Sequence, residues 1–347
     1  TDRKYMTSWQ SGKGNKASLT ITLPEGVRQG GIYITWDKTP ESWTLRQGED
    51  IIQQSDDNAF AHVHMPFEGT QPLHLEIKAP KGKPFGVGEL FVYAGETPGW
   101  VQQWQPTQPR ADLLVLVAHP DDELLFMGGA IPYYQHEKGK QVVVSYMTCA
   151  NGMRRSEMLN GLWEMGVRHY PVIGGFRDVS AKSMDRMYEI WKGDQAQAYI
   201  VELLRRFRPQ VVLSHDLKGE YGHPAHRAVA EMALKGVEAA GQQSLYPESA
   251  AAYGAWQVDK LYLHLYPDNP ITMDWSKPLT AFGGKTAMEV ADMGYAMHRS
   301  QRARHQMGMN ASYDATRFGL AYTMVGLDAA RDDFFEHIDT SRQAGVE

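Results

Sequence analysis

Hydrophobic and polar residues fall into two different patterns along this chain. Up to about residue 97, apolar positions alternate with polar ones: Leu19, Ile21 and Leu23, then Ile32, Ile34 and Trp36, then Leu73, Leu75 and Ile77, with a further run from Leu90 to Tyr93. A period of two predicts half-buried antiparallel strands. Turn-forming clusters separate these runs, at Pro24-Glu25-Gly26, Gln29-Gly30-Gly31 and Pro80-Lys81-Gly82, and no 3.6-residue period intervenes. The pattern predicts a small β-sandwich over residues 1–97. Residues 98–110 are rich in proline and glutamine and lack periodicity, which predicts an extended linker packed against its neighbours.

From residue 111 to 347 the pattern becomes strand alternating with helix. Leu113 to Ala118 is a continuous apolar run, repeated at Val142 to Tyr146 and Val211 to Leu213; such runs mark parallel strands covered on both faces. Between them, Ile200, Leu203, Leu204 and Phe207 follow the i, i+3, i+4, i+7 spacing of one buried helix face, and Pro209 stops that helix before the next strand. Leu159, Leu162 and Trp163 form a similar stripe. The fold class predicted is α/β, a Rossmann-like doubly wound, mostly parallel sheet preceded by a small β-sandwich, with ligands expected at the carboxyl ends of the strands.

Composition narrows the chemistry. Across 347 residues, Lys+Arg number 35 and Asp+Glu 41, a formal charge of −6, which argues against a nucleic-acid partner. The longest apolar run, Leu113 to Ala118, is far short of the ~18 residues a membrane-spanning helix needs. Cys149 is the only cysteine among thirteen histidines, so a metal would be held by His and carboxylate rather than by thiolates. The oligomeric state is left open.

Two clusters stand at the ends of apolar strands. The first is His119-Pro120-Asp121-Asp122-Glu123, leading into Leu124, Leu125 and Phe126. His119 and Asp122 can converge on one cation while Asp121 stays free for proton transfer; an acidic helix N-terminus stabilised by the macrodipole is the alternative. The second runs from Ser214-His215-Asp216 through Gly219-Glu220-Tyr221-Gly222 to His223-Pro224-Ala225-His226. In a doubly wound sheet these loops are neighbours, so His119, Asp122 and one of His223 or His226 can complete a three-ligand site with an open position. His62, His64, His74, His136, His169, His305 and His337 are expected in the core or on the surface. Gly283-Gly284-Lys285-Thr286 lacks the earlier glycine of a phosphate-binding loop, since that position is Leu279. Gly86-Val87-Gly88 precedes a strand and lacks a third glycine, and no Gly-x-Ser-x-Gly elbow occurs.

The Leu113 to Ala118 strand with its His-Pro-Asp-Asp-Glu loop, followed by His223-Pro224-Ala225-His226, resembles the PIG-L/LmbE-like metal-dependent de-N-acetylases over most of residues 111–305. The resemblance implies Zn²⁺, or another divalent metal, on His119, Asp122 and His226. It implies Asp121 as general base, with His223 stabilising the oxyanion or protonating the leaving amine. Arg154, in Arg154-Arg155-Ser156-Glu157, Asp178, in Phe176-Arg177-Asp178, and Tyr221 match positions that touch substrate, while His298-Arg299-Ser300-Gln301 matches a motif expected to be structural. Ala225 departs from the Asp that many relatives carry there, an expected influence on metal affinity.

Thr7-Ser8-Trp9-Gln10-Ser11, the Leu19 to Leu23 strand and Gly31-Ile32-Tyr33-Ile34-Thr35-Trp36 resemble the galactose-binding-like jelly roll of discoidin-type domains. Five of nine Trp precede residue 105; Trp36 and Trp43 are expected to fill a thin core rather than to stack on sugars. The activity expected is hydrolysis of the N-acetyl group of a GlcNAc- or GalNAc-type sugar, free or in a glycan. The alternatives are a metal amidase acting on a non-sugar amide and a glycan-binding protein with an inactive catalytic domain. A chain that starts at Thr1 and carries a sugar-module-like domain is expected outside the cell or at its surface.

Overall fold

The computed structural model describes residues 4, 6–55, 60–302 and 313–339; His305 lies outside them. The N-terminal elements are β1 (Trp9–Gln10), β2 (Lys16–Ile21), β3 (Gln29–Lys38), β4 (Ser42–Gln47), β5 (Asp50–Gln54), β6 (His62–Glu68), β7 (Leu73–Lys78) and β8 (Gly86–Ala94). After them come β9 (Leu113–Val117), α1 (Asp122–Leu125), α2 (Ala130–Pro132), β10 (Val142–Thr148), α3 (Gly152–Glu164), β11 (Val172–Phe176), α4 (Met184–Trp191) and α5 (Gly193–Phe207). The chain continues through β12 (Val211–Ser214), α6 (Pro224–Ala240), α7 (Pro247–Tyr253), β13 (Lys260–His264), β14 (Pro270–Thr272), α8 (Ala287–Tyr295) and β15 (Arg317–Thr323). No described helix is long and apolar enough to cross a membrane.

The chain forms two compact units, one of residues 1–106 and 151–163, the other of residues 107–150 and 164–347. In the first, two antiparallel four-stranded sheets have the orders β1-β8-β3-β6 and β2-β7-β4-β5. Alternation places Ile32, Ile34, Trp36, Met65 and Phe67 of one sheet in a single apolar cluster with Trp43, Leu45, Leu73, Leu75 and Ile77 of the other. Two sheets sharing one core make a β-sandwich. Trp36 and Trp43 are part of that core. In the 98–110 segment, Val101, Gln102 and Trp104 are buried.

Residues 151–163, nearly all of α3, group with this first unit, whereas the sequence pattern had assigned them to the α/β part. Within that unit, Arg155 donates to the carbonyls of Trp36 and Asp37, both at 2.9 Å. His62 bonds Ser156, Gln102 bonds Asn160, and the rings of Trp104 and Trp163 meet edge to face.

The second unit is a seven-stranded sheet of order β11-β10-β9-β12-β13-β15-β14. The first five strands are parallel; β15 pairs antiparallel with β13 and β14. Every residue of β9, β10, β12 and β13 is buried, as continuous apolar runs demand of strands covered on both faces. Ile200, Leu203, Leu204 and Phe207 of α5 enter the same cluster as Ala225, Ala228, Val229 and Met232 of α6. Strand order reverses at β9, whose neighbours β10 and β12 lie on opposite sides, so the loops after β9 and β12 open side by side at a topological switch point.

Candidate metal centre and active site

The register of β12 on β9, Val211 opposite Leu113 and Leu213 opposite Val115, brings the two strand ends level. The Ser214 hydroxyl bonds the Leu116 carbonyl at 2.8 Å, and the Ala118 N–H donates to His215 Nε2 at 3.0 Å. Beyond β9 the chain turns sharply: Asp121 takes φ 103, a left-handed value unusual for a residue with a side chain, and its N–H donates to Glu123 Oε2 at 2.9 Å. Beyond β12 the loop is equally tight. Gly219 has φ 70, and a Cβ there would lie 2.6 Å from the His223 carbonyl oxygen, so only glycine fits. The loop ends where His223 caps α6 and Pro224 takes its first turn, which seats His226 one turn in and fully buried.

The two loops meet around Asp122. Its Oδ2 accepts the His119 N–H at 2.7 Å and lies 3.2 Å from His119 Nδ1, while Oδ1 lies 3.4 Å from His226 Nε2. Among the described residues, two sets of potential ligands have donor atoms within 4.8 Å of one another: His119, His223 and His226, and Asp122, His215 and His226. Hydrogen bonds discriminate between them. His215 Nε2 is already the acceptor for the Ala118 N–H, so its lone pair is occupied. His223 Nδ1 accepts the Ala225 N–H at 3.2 Å, which leaves the proton on Nε2 and makes that atom a donor rather than a ligand. His226 Nδ1 lies 2.7 Å from Glu220 Oε2 and donates to it, so the bare Nε2 faces Asp122 with no hydrogen-bond partner. Both sets contain His226, and His119 and Asp122, one from each set, face each other at 3.2 Å.

Electrostatics point to a cation at that place. Burial alone would push the Asp122 carboxyl up, but the imidazoles of His226, His119 and His215 around it outweigh burial and hold the group well below the usual carboxylate range. Burial would push His226 down, yet Asp122 and Glu220 raise it to about 10. An imidazole between two carboxylates stabilises a positive charge at Nε2, whether proton or metal. The donor set, two imidazoles and a carboxylate, suits a borderline divalent ion.

Asp121 is buried beside this cluster, and its charge acts on both Glu123 and Tyr221. Burial first, then the Asp121 charge, raises the Glu123 carboxyl to about 8. His223 lies with its ring centroid 4.8 Å from that of His119 and 4.5 Å from that of His226. Burial and the charges of those two rings push it down to about 3. Tyr221 is half exposed at the mouth, its ring against His223, His226, Phe126 and Tyr313. Asp178 is exposed just past β11. Arg154 belongs to the other unit, in the first turn of α3, with its guanidinium 4.0 Å from Glu157. His298 is fully buried, 4.0 Å from Glu123.

Sequence reading assigned no role to Glu220, His215 or His264. The side chains of all three are fully buried, and they bond one another. The strand-end rule held a signal for His264, which closes β13, the next parallel strand out from β12. Of the other expected histidines, His62 is buried in a bonded network and His337 is exposed beside Glu336. Lys285-Thr286 of the rejected phosphate loop is a helix start, with Thr286 and Glu289 forming a capping box on α8.

The site is thus a cluster of His and Asp, able to hold a metal ion, at the switch point of a parallel sheet. Residues 114–237 match the PIG-L family, described as GlcNAc-PI de-N-acetylase. The chain is 29% identical over 202 residues to the 1D-myo-inositol 2-acetamido-2-deoxy-alpha-D-glucopyranoside deacetylase 1 of Catenulispora acidiphila, covering 49% of this chain and 60% of that protein. It is 33% identical over 178 residues to the corresponding deacetylase of Rhodococcus jostii, covering 43% and 60%. Among solved structures, N,N'-diacetylchitobiose deacetylase from Pyrococcus horikoshii is similar at 20% identity, 55% and 71% coverage and a TM-score of 0.41. The chain spans about three fifths of the length of the curated relatives it matches.

Proposed function

We propose that this chain hydrolyses the N-acetyl group of an N-acetylated amino sugar of the GlcNAc or GalNAc type, free or in a glycan, releasing acetate and a free amine. The observation that carries the reading is the convergence of His119, Asp122 and His226, with Asp121 and His223 beside them, within the residues that match the PIG-L family. Relatives whose names describe deacetylation of an acetamido-deoxy-glucopyranoside support the substrate class.

His119, Asp122 and His226 would hold Zn²⁺, which when bound supplies Lewis-acid polarisation of the acetyl carbonyl and acidifies water. Asp121 accepts the proton of the water that attacks the carbonyl carbon. The Nε2–H of His223 donates to the oxygen on which negative charge develops. The C–N bond then breaks, the amine nitrogen takes up the proton delivered from Asp121, and acetate leaves. Tyr221 and Asp178 are assigned to the sugar.

The sandwich, whose two sheets share one core, is read as a galactose-binding-like module, and with it a site of action outside the cell. Fractionation of the native host tests the location; a purely cytoplasmic protein would refute it. The activity is tested by metal analysis of the purified protein together with acetate release from N-acetylglucosamine and N-acetylgalactosamine derivatives. Bound metal and acetate from one of these series are expected. Acyl release only from non-sugar amides, or none from zinc-loaded protein, would overturn the reading.

A further inference from the structure

Glu220 has no part in the chemistry above, yet its carboxylate gathers four partners. Oε2 accepts from His226 Nδ1 at 2.7 Å, and Oε1 accepts the Asp216 N–H at 3.1 Å while facing His215 Nδ1 at 3.2 Å and His264 Nδ1 at 3.1 Å. The side chain is fully buried and reaches this place from a left-handed backbone position, φ 54. Each imidazole is fixed from its far side. His215 accepts from the Ala118 N–H at Nε2, so its Nδ1 carries the proton that points at Glu220. His264 Nε2 faces the Asp314 carbonyl at 3.2 Å and can only donate there. His226 alone has an Nε2 with no hydrogen-bond partner, and that atom faces Asp122.

We propose that Glu220 is a positioning residue: it holds His226 in the one tautomer and ring orientation that presents Nε2 for ligation. This rests on the metal assignment made above and not on the identity of the sugar. A carboxylate behind a ligating imidazole fixes its tautomer and raises its basicity, and losing such a partner typically weakens metal binding about 10–100-fold. His215 then serves as a strut that anchors Glu220 to the end of β9.

The test is chelator competition for Zn²⁺ with the full-length chain and its Glu220→Gln variant, together with proton–nitrogen spectra of the zinc-loaded, histidine-labelled proteins. The variant is expected to bind zinc about 10–100-fold more weakly. The wild type is expected to show a solvent-protected Nδ1–H on His226 that is lost or exposed in the variant, a change that loss of stability alone would not produce. Zinc binding by the variant within twofold of wild type would overturn the proposal. If Glu220→Gln does not fold, the wild-type spectrum decides: a protected His226 Nδ1–H supports the role, and an unprotected one or ligation through Nδ1 refutes it. Zinc bound with wild-type spectra as expected, but without acetate release from any sugar, would overturn the proposed function and leave this inference standing.

Discussion

His223 and His226 stand three residues apart in one helical turn, yet their hydrogen bonds give them opposite roles. Glu220 takes the Nδ1–H of His226 and frees its Nε2 lone pair, whereas the Ala225 N–H occupies Nδ1 of His223 and keeps the proton on its Nε2. With Ala at 225, the backbone sets the His223 tautomer without help from a side-chain carboxylate. Replacing His223 by Phe should therefore lower kcat about 10²- to 10³-fold, the effect of removing one oxyanion donor, with metal content by elemental analysis unchanged. Because burial and the neighbouring rings push His223 down to about 3, it gains a proton only near that pH and stays neutral from pH 5 to 8. The acid limb of the kcat profile in that range should be the same in wild type and His223→Gln; a limb that disappears in the variant would assign His223 as a cationic acid. Asp121→Asn should cost about 10²- to 10⁴-fold in kcat with the metal retained, and full deacetylase activity in that variant would remove Asp121 from the role of base.

At the scale of elements, the positions of the proposed ligands are legible because they follow from strand ends. Leu113 to Ala118 and Val211 to Leu213 announce buried parallel strands, and His119, Asp122 and His226 lie just past them. Glu220 was not legible, because its role depends on a left-handed loop that folds the carboxylate back under α6, and nothing in residue spacing reports φ. The partner of α3 was equally hidden: Leu159 and Leu162 show a buried face, but an apolar stripe does not say what covers it. Arg205 of α5 is a further case. Its guanidinium donates to the carbonyls of Ala239, Ala240, Gln242, Leu245 and Tyr246 and to the Ser249 hydroxyl, organising the chain from the end of α6 to α7. A lysine offers three donors from a single atom and cannot reproduce this fork. Arg205→Lys should lose about 2–3 kcal/mol in urea unfolding, from carbonyls left unsatisfied in the interior, and a loss under 0.5 kcal/mol would show that water replaces the bonds.

The whole molecule is interleaved rather than strung: the chain leaves the α/β unit after residue 150, contributes residues 151–163 to the sandwich unit, and returns. Inside the sandwich unit, His62 is the buried junction, bonded to Gln102, Ser156 and Tyr33. Burial above all pushes it down to about 4; the Gln102 bond opposes this and the Arg155 charge adds to it. The unfolded chain takes a proton near pH 6.5 that the folded one refuses, so this contribution to stability is complete above about 6.5. It is lost as pH falls toward 4, by up to about 3 kcal/mol. His62→Gln should show a correspondingly flatter dependence of unfolding free energy between pH 7 and 4.5. The same interleaving bears on where the chain can be cut. A chain beginning at residue 107 keeps every residue of the metal centre but strips α3 of the carbonyls that receive Arg155 and of the His62, Gln102 and Trp104 contacts. Polar groups that were bonded in a buried setting would then face water beside the apolar residues Met158, Leu159 and Leu162. Such a chain should melt several degrees below the full-length protein or aggregate, and zinc should raise its melting temperature without restoring the difference, since metal binding stabilises the site and not α3. Melting at the full-length temperature in calorimetry would mean that α3 holds its place without the sandwich.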